Sequence, residues 1–309
     1  AADAEVVVIN HTLFFSLLDI ENLHEHDGYL FPDDFVVFDE AHTLESVASN
    51  QLGLRLTQAG LRFDLQRLHN PRSRKGLLRS LGAGKAMAAV ERALAESEEF
   101  FDLLGEVSEF GDHGREFRVR EPEVVPNTLA EPLRELCSDL GSLADTIENE
   151  TTRAEVQEGT RHIRDAHATM RMFLDQEDEG CVYWVEAGGA ERTSYAMRAA
   201  PVDVAERLGP LLFAEGKTAV LTSATLGTGD PDLRYFRQRV GGEQVEALQI
   251  GSPFNYREQM NIHVVKSMPD PTSAEYGEAL AKWTERFLHQ SDGRAFVLFT
   301  SYRSLQLVA

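Results

Sequence analysis

The sequence predicts an α/β fold in which a parallel-sheet domain is interrupted by a large helical insertion and followed by the start of a second α/β domain. Three observations carry this prediction. Short apolar runs rich in valine and phenylalanine, "EVVVIN" at 5–10 and "DFVVFDE" at 34–40, each precede a helical pattern, as buried parallel strands do. From about 53 to 178, apolar residues recur at alternating spacings of three and four, the mark of amphipathic helices. Strand texture then returns in "CVYWVEAGGAERTSYAMRAAP", "TAVLTSATL", "NIHVVKSMP" and "RAFVLFTSY".

Taken in order, the helical stretch presents three stripes. Met87, Val90, Leu94, Phe101 and Leu104 line one, interrupted by Ser97; Leu133, Leu136, Leu140, Leu143 and Ile147 line a second; Val156, Ile163, Met170 and Leu174 line a third. Pro122, Pro126 and Pro132 punctuate the link between the first two. Such stripes are core-facing, Phe100 and Phe101 included, and the helices are expected to pack as antiparallel hairpins. Gly188-Gly189 divides the next segment into a hairpin with a widened loop. "TAVLTSATL" is a buried strand, and an amphipathic helix around 276–289 separates the last two strands.

Composition narrows the class. At 309 residues, with 42% hydrophobic and 26% charged residues, the chain is an ordinary globular protein of two or three compact units. No apolar run approaches the ~20 residues of a membrane span, and no signal-peptide pattern opens the sequence. Cys137 and Cys181 are the only cysteines; they exclude a disulfide framework and fit a cytoplasmic location. A net charge of −21, from 51 acids against 30 bases, argues against coating nucleic acid non-specifically but leaves room for a local basic channel. Beginning at Ala1 and ending within a helical pattern at "SLQLVA", the chain is read as a fragment.

The chemistry starts at "FVVFDEAHTLE", 35–45, where an apolar strand stops at two acids. In open parallel sheets ligands bind at the carboxyl ends of strands. There Asp39 suits Mg²⁺, and Glu40 suits orienting or deprotonating the attacking water of nucleotide hydrolysis. His42 is placed to relay the nucleotide state to a neighbouring segment. The alternative, equally weighted on this stretch alone, is that the acids cap a helix beginning at Ala41.

Further motifs follow in order: "LTSATL" at 221–226, "GSPFNY" at 251–256 and "FVLFTSY" at 296–302, with "VINHTLF" at 8–14 preceding the acids. With these the sequence resembles the DinG/XPD-like superfamily-2 DNA helicases, in which a DEAH motif and a TSATL motif flank a helical insertion called the Arch. "YWVE" at 183–186 and "AAPVDVAERL" at 199–208 resemble the family's return from that insertion. The 180 positions from His42 to Thr222 (222 − 42) agree, since a sheet connection needs far fewer.

The resemblance implies a RecA-like motor domain of the P-loop NTPase fold. Its parts would be residues 1–52 with DEAH, an Arch-like insertion at 53–180, a return at 181–229 with TSATL, and the beginning of a second RecA-like domain at 230–309. It implies a 5′→3′ ATP-dependent DNA helicase of repair or replication, a cytoplasmic monomer acting on single-stranded DNA and forked duplex with ATP and Mg²⁺. Asp39 would ligate Mg²⁺, Asp39 and Glu40 would face ATP, Glu40 would be the catalytic carboxylate, and His42 would couple the site to strand movement. Ser223 and Thr225 would link hydrolysis to DNA movement, and Thr300 and Ser301 would meet DNA phosphates. Asn10 and His11 match the family, with no role assigned beyond starting a helix. An RNA helicase, a nucleic-acid-dependent remodelling ATPase or a non-catalytic binding module keeping the fold are the alternatives.

Two family features are missing. No GxxxxGK[ST] phosphate loop occurs; "SLGAGKAMA" carries Arg79 where glycine is needed and Ala86 where the hydroxyl belongs, so its glycines are read as starting a helix. The arginine-bearing segment of the late second domain is also absent. Iron–sulfur cysteines, where the family has them, precede the "NH" segment, so such a cluster would belong to the parent and find no ligands in this chain. Arg72, Arg74, Lys75 and Arg79 in "NPRSRKGLLRS" form either a DNA-facing patch on the insertion or a solvated helix end. "HEH" at 24–26 lacks zinc spacing and reads as a surface turn.

Overall fold

The computed structural model describes residues 4–17, 35–111, 114–189, 193–214, 216 and 218–309; the turn at 24–26 lies outside them. The chain divides into two compact units, Ala1–Gln249 and Ile250–Ala309. In chain order the first runs α1 (His11–Leu17), β1 (Phe35–Phe38), α2 (Leu44–Gln51), β2 (Leu54–Thr57), α3 (Gln58–Leu68), α4 (Leu77–Ser80), α5 (Gly84–Val107), β3 (Glu116–Val119), α6 (Ala130–Ala144), α7 (Glu150–Asp175), β4 (Cys181–Gly188), β5 (Ser194–Pro201), α8 (Ala205–Phe213), β6 (Thr218–Leu221) and α9 (Arg234–Arg239). The second holds α10 (Tyr256–Gln259), α11 (Tyr276–Gln290) and α12 (Tyr302–Val308).

The fold is mixed α/β, as the sequence predicts, and the first unit has two cores. In the smaller, β1 and β6 pair in parallel, from Phe35↔Thr218 to Phe38↔Leu221. Phe14, Phe15, Phe38, Leu44, Leu208, Leu212 and Val240 fill the space beneath them, and the Phe14 and Phe38 rings meet edge-on at 4.9 Å. Alternation along β1 buries Phe38 but leaves Phe35 64% and Val37 55% exposed. The pair is therefore covered on one face, not on both as a continuous apolar run suggests. "EVVVIN" forms no strand, because no described strand runs beside it to take its backbone hydrogen bonds.

The larger core belongs to the insertion. Every stripe expected from the sequence reaches it: Val90, Phe101 and Leu104 of α5, Leu133, Leu136 and Leu140 of α6, and Val156, Ile163, Met170 and Leu174 of α7 are buried. Phe100 and Phe101 are buried and meet edge-on at 5.4 Å. Asn149 caps α7 by accepting from Thr152 N at 2.9 Å. Gly84 opens α5, and the neighbouring Lys85 pairs with Asp139 at 2.6 Å, so these residues do start a helix.

The insertion is not purely helical. A four-stranded antiparallel sheet of order β2-β5-β4-β3 lies against the helices, with Leu56, Val119, Tyr183, Val185, Met197 and Ala199 in the shared core. The β4–β5 hairpin pairs from Cys181↔Pro201 to Gly188↔Ser194 and turns after Gly189, whose φ of +80° favours glycine. Sequence reading assigns this hairpin to the first motor domain; here it pairs with β2 and β3 and packs on the insertion. Those flanking strands are four residues each, too short to stand out from the helical periodicity around them. Gly53 leads into β2 because a Cβ there would lie 2.1 Å from the Ala199 carbonyl oxygen.

His162 on α7 joins this core to α3, its Nδ1 3.2 Å from Asp64 Oδ1 and its Nε2 2.9 Å from Glu158 Oε1. Partial burial opposes the charged ring, but hydrogen bonds to Asp64 and Glu158 outweigh it and raise the imidazole above its ordinary 6.5. Hydrogen bonds from Arg161 and then His162 hold Glu158 down at about 2. A raised histidine contributes stability that is complete below the unfolded value and fades as pH rises through the folded one. His162→Ala should therefore cost most below about pH 6.5 and progressively less above it, as read from urea midpoints across pH. A pH-independent cost would show that the ring stabilises by packing alone.

The second unit contains α11 where the helix was expected, but "NIHVVKSMP" and "RAFVLFTSY" are not strands. Ile262, Val264, Phe296 and Leu298 are exposed. Strands persist only with partners to satisfy their ladders, and two short runs around one helix do not make a sheet. Val265, Met268 and residues 295–298 instead border a cavity of about 410 Å³ with Trp283 and Phe287 of α11. Among the described residues no helix is long and apolar enough to cross a membrane.

Candidate active site

Both strands of the parallel pair end at the same place, and the polar residues after them interlock. Thr222 N donates to Phe38 O at 2.8 Å and Ala41 N donates to Thr222 O at 2.9 Å, so the ladder continues one step past each strand. Thr222 Oγ1 donates to Asp39 Oδ1 at 3.1 Å. Ser223 Oγ donates to Glu40 Oε2 at 3.3 Å and lies 2.9 Å from His42 Nδ1. His42 Nδ1 is also 3.1 Å from Glu40 Oε2, and Thr225 Oγ1 is 3.4 Å from Ser223 Oγ. Asp39, Glu40, His42, Ser223 and Thr225 thus form one cluster, its two halves joined across the whole insertion.

Helix capping does not account for the acids. Glu40 stands at φ +51°, ψ +42° before the 3-10 turn Ala41–Thr43 and makes no side-chain cap bond. A left-handed glutamate is strained by about 1–3 kcal/mol. The turn is held by the Ala41–Thr222 bond, by Asp39 Oδ1 accepting from Glu40 N at 3.0 Å, and by Thr43 Oγ1 donating to Glu40 O at 3.0 Å. Both carboxylates stay exposed there, Glu40 at 62% beside the 43% exposed His42.

The amino-acid sequence of this chain has whole-length relatives. The ATP-dependent DNA helicase YoaA of Escherichia coli strain K12 is 28% identical over 315 residues, covering 100% of this chain and 46% of that protein. The ATP-dependent DNA helicase DinG of Photobacterium profundum is 24% identical over 341 residues, covering 99% of this chain and 48% of that protein. Its relatives are YoaA- and DinG-type ATP-dependent helicases. The chain spans about half the length of these relatives. No protein-family model matches it. A solved structure of S. tokodaii Xpd4 covers 97% of the chain and 54% of its own, at 15% identity and a TM-score of 0.43.

Two further groups of candidate residues come from elsewhere in the sequence, one matched by the family resemblance and one read from its basic charge. Thr300 and Ser301 belong to the second unit, where Ser301 Oγ caps α12 by accepting from Ser304 N at 3.1 Å. Arg72, Arg74 and Lys75 sit exposed on a turn closed by the Asn70↔Lys75 bridge, with no ion pair among the described residues. Two contributors went unassigned in the sequence. Thr222 fixes Asp39, and its signal was its place one step beyond the strand. His11 lies 3.2 Å from Thr43 Oγ1 and edge-on to Phe38 at 5.6 Å, while Asn10 Oδ1 caps α1 by accepting from Leu13 N at 2.7 Å. His11 thus braces the turn that carries Asp39 and Glu40, while Asn10 starts the helix that carries it.

A divalent cation fits what the turn offers. Asp39 commits Oδ1 to Glu40 N and Thr222, while Oδ2 has no partner among the described residues. Mg²⁺ asks for little more from a protein, taking one or two carboxylates and completing its shell with water and phosphate oxygens; among the described residues no group of three potential ligands occurs.

Proposed function

We propose that this chain is the middle of a 5′→3′ DNA helicase in which ATP hydrolysis drives single-stranded DNA translocation and duplex unwinding in repair or replication. The supporting observation is the interlock of Asp39, Glu40 and His42 with Ser223 and Thr225 at the ends of paired parallel strands. Asp39 holds Mg²⁺, which when bound neutralises charge on the nucleotide phosphates. Glu40 orients the attacking water and accepts its proton at a carboxylate oxygen. Ser223 donates to Glu40 and contacts His42, so a change in Glu40's bonding reaches both segments at once. Thr300, Ser301 and the Arg72–Arg74–Lys75 turn contact phosphates of DNA, in single strands and forked duplex. The protein acts as a cytoplasmic monomer, in keeping with two free cysteines.

Nothing in these 309 residues cradles the β- and γ-phosphates: they contain no GxxxxGK[ST]. By themselves they should show negligible ATPase activity. The full-length protein carrying them should hydrolyse ATP at a rate stimulated by single-stranded DNA. Measurable Mg²⁺-ATPase from residues 1–309, or none from the full-length protein with DNA, contradicts the proposal. Stronger stimulation by RNA than by DNA in a competition assay reassigns the enzyme to RNA.

A further inference from the structure

The insertion's antiparallel sheet has an outer face as well as a core face, and one rung across it is unusual for so acidic a chain. Register places Arg55 of β2 opposite Arg198 of β5, Arg198 opposite Trp184 of β4, and Trp184 opposite Arg118 of β3. Their neighbours Leu56, Met197, Val185 and Val119 point into the core, so alternation sends this rung outward. Three inter-strand spacings of ~4.8 Å make it about 14 Å long. The Arg198 guanidinium lies 5.8 Å from the centre of the Trp184 ring.

Arg120 follows directly after the end of β3 at Val119. Arg118 and Arg120 border a cavity of about 390 Å³ with Gln176, Cys181 and Val182. Gln176 Nε2 is buried there without a hydrogen-bond partner, as is Trp184 Nε1 within the sheet. Arg55, Arg118 and Arg120 are exposed and make no ion pair among the described residues. The acids on this face lie toward the hairpin turn: Glu116 stands opposite Glu186, and Glu186 approaches Arg198 Nε at 3.8 Å. The cavity at the Arg118–Arg120 end is lined by two arginines and no acid.

We propose that this outer face binds single-stranded nucleic acid, with a base stacked on Trp184 and backbone phosphates on Arg55, Arg118 and Arg120. The proposal deepens the functional reading above and rests on it for the choice of polymer. An aromatic ring set among guanidinium groups matches a strand that alternates flat bases with phosphates. An acidic peptide would use the arginines and leave the ring without a role. Gln176 Nε2 and the two guanidinium groups at the cavity are donors only, which selects an anion. General attraction does not explain the row, because the chain carries a net charge of −21.

The chain has two tryptophans, Trp184 and Trp283, so Trp283→Phe leaves Trp184 as the only indole emitter. Titrating this variant with a short oligo(dT) should quench its emission, without ATP. Adding Arg118→Ala and Arg120→Ala should weaken binding at least tenfold and flatten the slope of log K against log salt by about 1.4, two phosphates at ~0.7 each. Circular dichroism checks that the fold persists, and oligo(rU) in parallel identifies which nucleic acid the face prefers. Absent quenching, unchanged affinity in the arginine variant, or displacement by poly-glutamate as effective as by oligo(dT) overturns the proposal. If single-stranded DNA still stimulates ATP hydrolysis by the full-length protein, only this surface falls. If that stimulation is absent too, the functional reading falls with it.

Discussion

Glu40→Gln in the full-length protein should reduce DNA-stimulated ATP turnover by roughly a hundredfold to ten-thousandfold, the usual contribution of a positioned general base, while ATP binds almost as before. The amide keeps the shape of the carboxylate and still accepts from Ser223, which lies 3.3 Å from Glu40 Oε2, so the turn should hold. What it loses is basicity. Steady-state hydrolysis and nucleotide-binding titrations on the same preparation separate the two effects. Undiminished turnover would remove Glu40 from the chemistry and leave the cluster as a structural brace. Lost ATP binding together with lost turnover would mean that the substitution disturbed Asp39, whose Oδ1 accepts from Glu40 N.

The second large effect lies in the insertion. Phe101 is fully buried against Phe100 within the core of α3, α5, α6 and α7. Phe101→Ala should cost about 3–5 kcal/mol of unfolding free energy, the lost transfer term plus a cavity that the surrounding helices fill only in part. Urea unfolding followed by circular dichroism measures it. Phe63→Ala is the control: Phe63 is 62% exposed on α3, and its loss should change stability by no more than about 0.5 kcal/mol. Equal costs at the two positions would refute the assignment of α5's inner face.

The helical stripes were legible because their spacing is a property of the chain itself. Val90, Leu136 and Ile163 sit at positions dictated by the helical period, and all are buried. Strands were harder to read. β2 and β3 have four residues each and draw their stability from the longer β4–β5 hairpin between them, so local texture carries little of their signal. "EVVVIN" and "NIHVVKSMP" have strand composition without a partner in the described residues, and composition alone does not make a ladder.

At the site, the acids of "DEAH" and the hydroxyls of "TSATL" were readable as chemistry. Their joining was not, because it depends on the register of β1 against β6. Thr222 and His11 act through that geometry: the place of Thr222 just past its strand hinted at a role, but which groups the two residues meet depends on the pairing. The arginine row is the same case. Arg55, Arg118 and Arg198 lie far apart in sequence, and only strand pairing brings them into line with Trp184.

The β2–β5 pairing bears on how the Asp39–Glu40 turn comes to exist at all. Bringing Phe35 to Thr218 closes 183 residues of chain (218 − 35), an entropic loss that grows with the logarithm of loop length. Once Leu54 is paired with Ala199, only 38 residues remain to be closed, (54 − 35) + (218 − 199). By the logarithmic rule the difference is roughly 1.4 kcal/mol, or about tenfold in the probability that the two strand ends meet. The insertion thus acts as a splint that shortens the chain left to be closed at the turn. A substitution such as Phe101→Ala, remote from Glu40 and Ser223 in sequence, would part them by lengthening the unrestrained chain between.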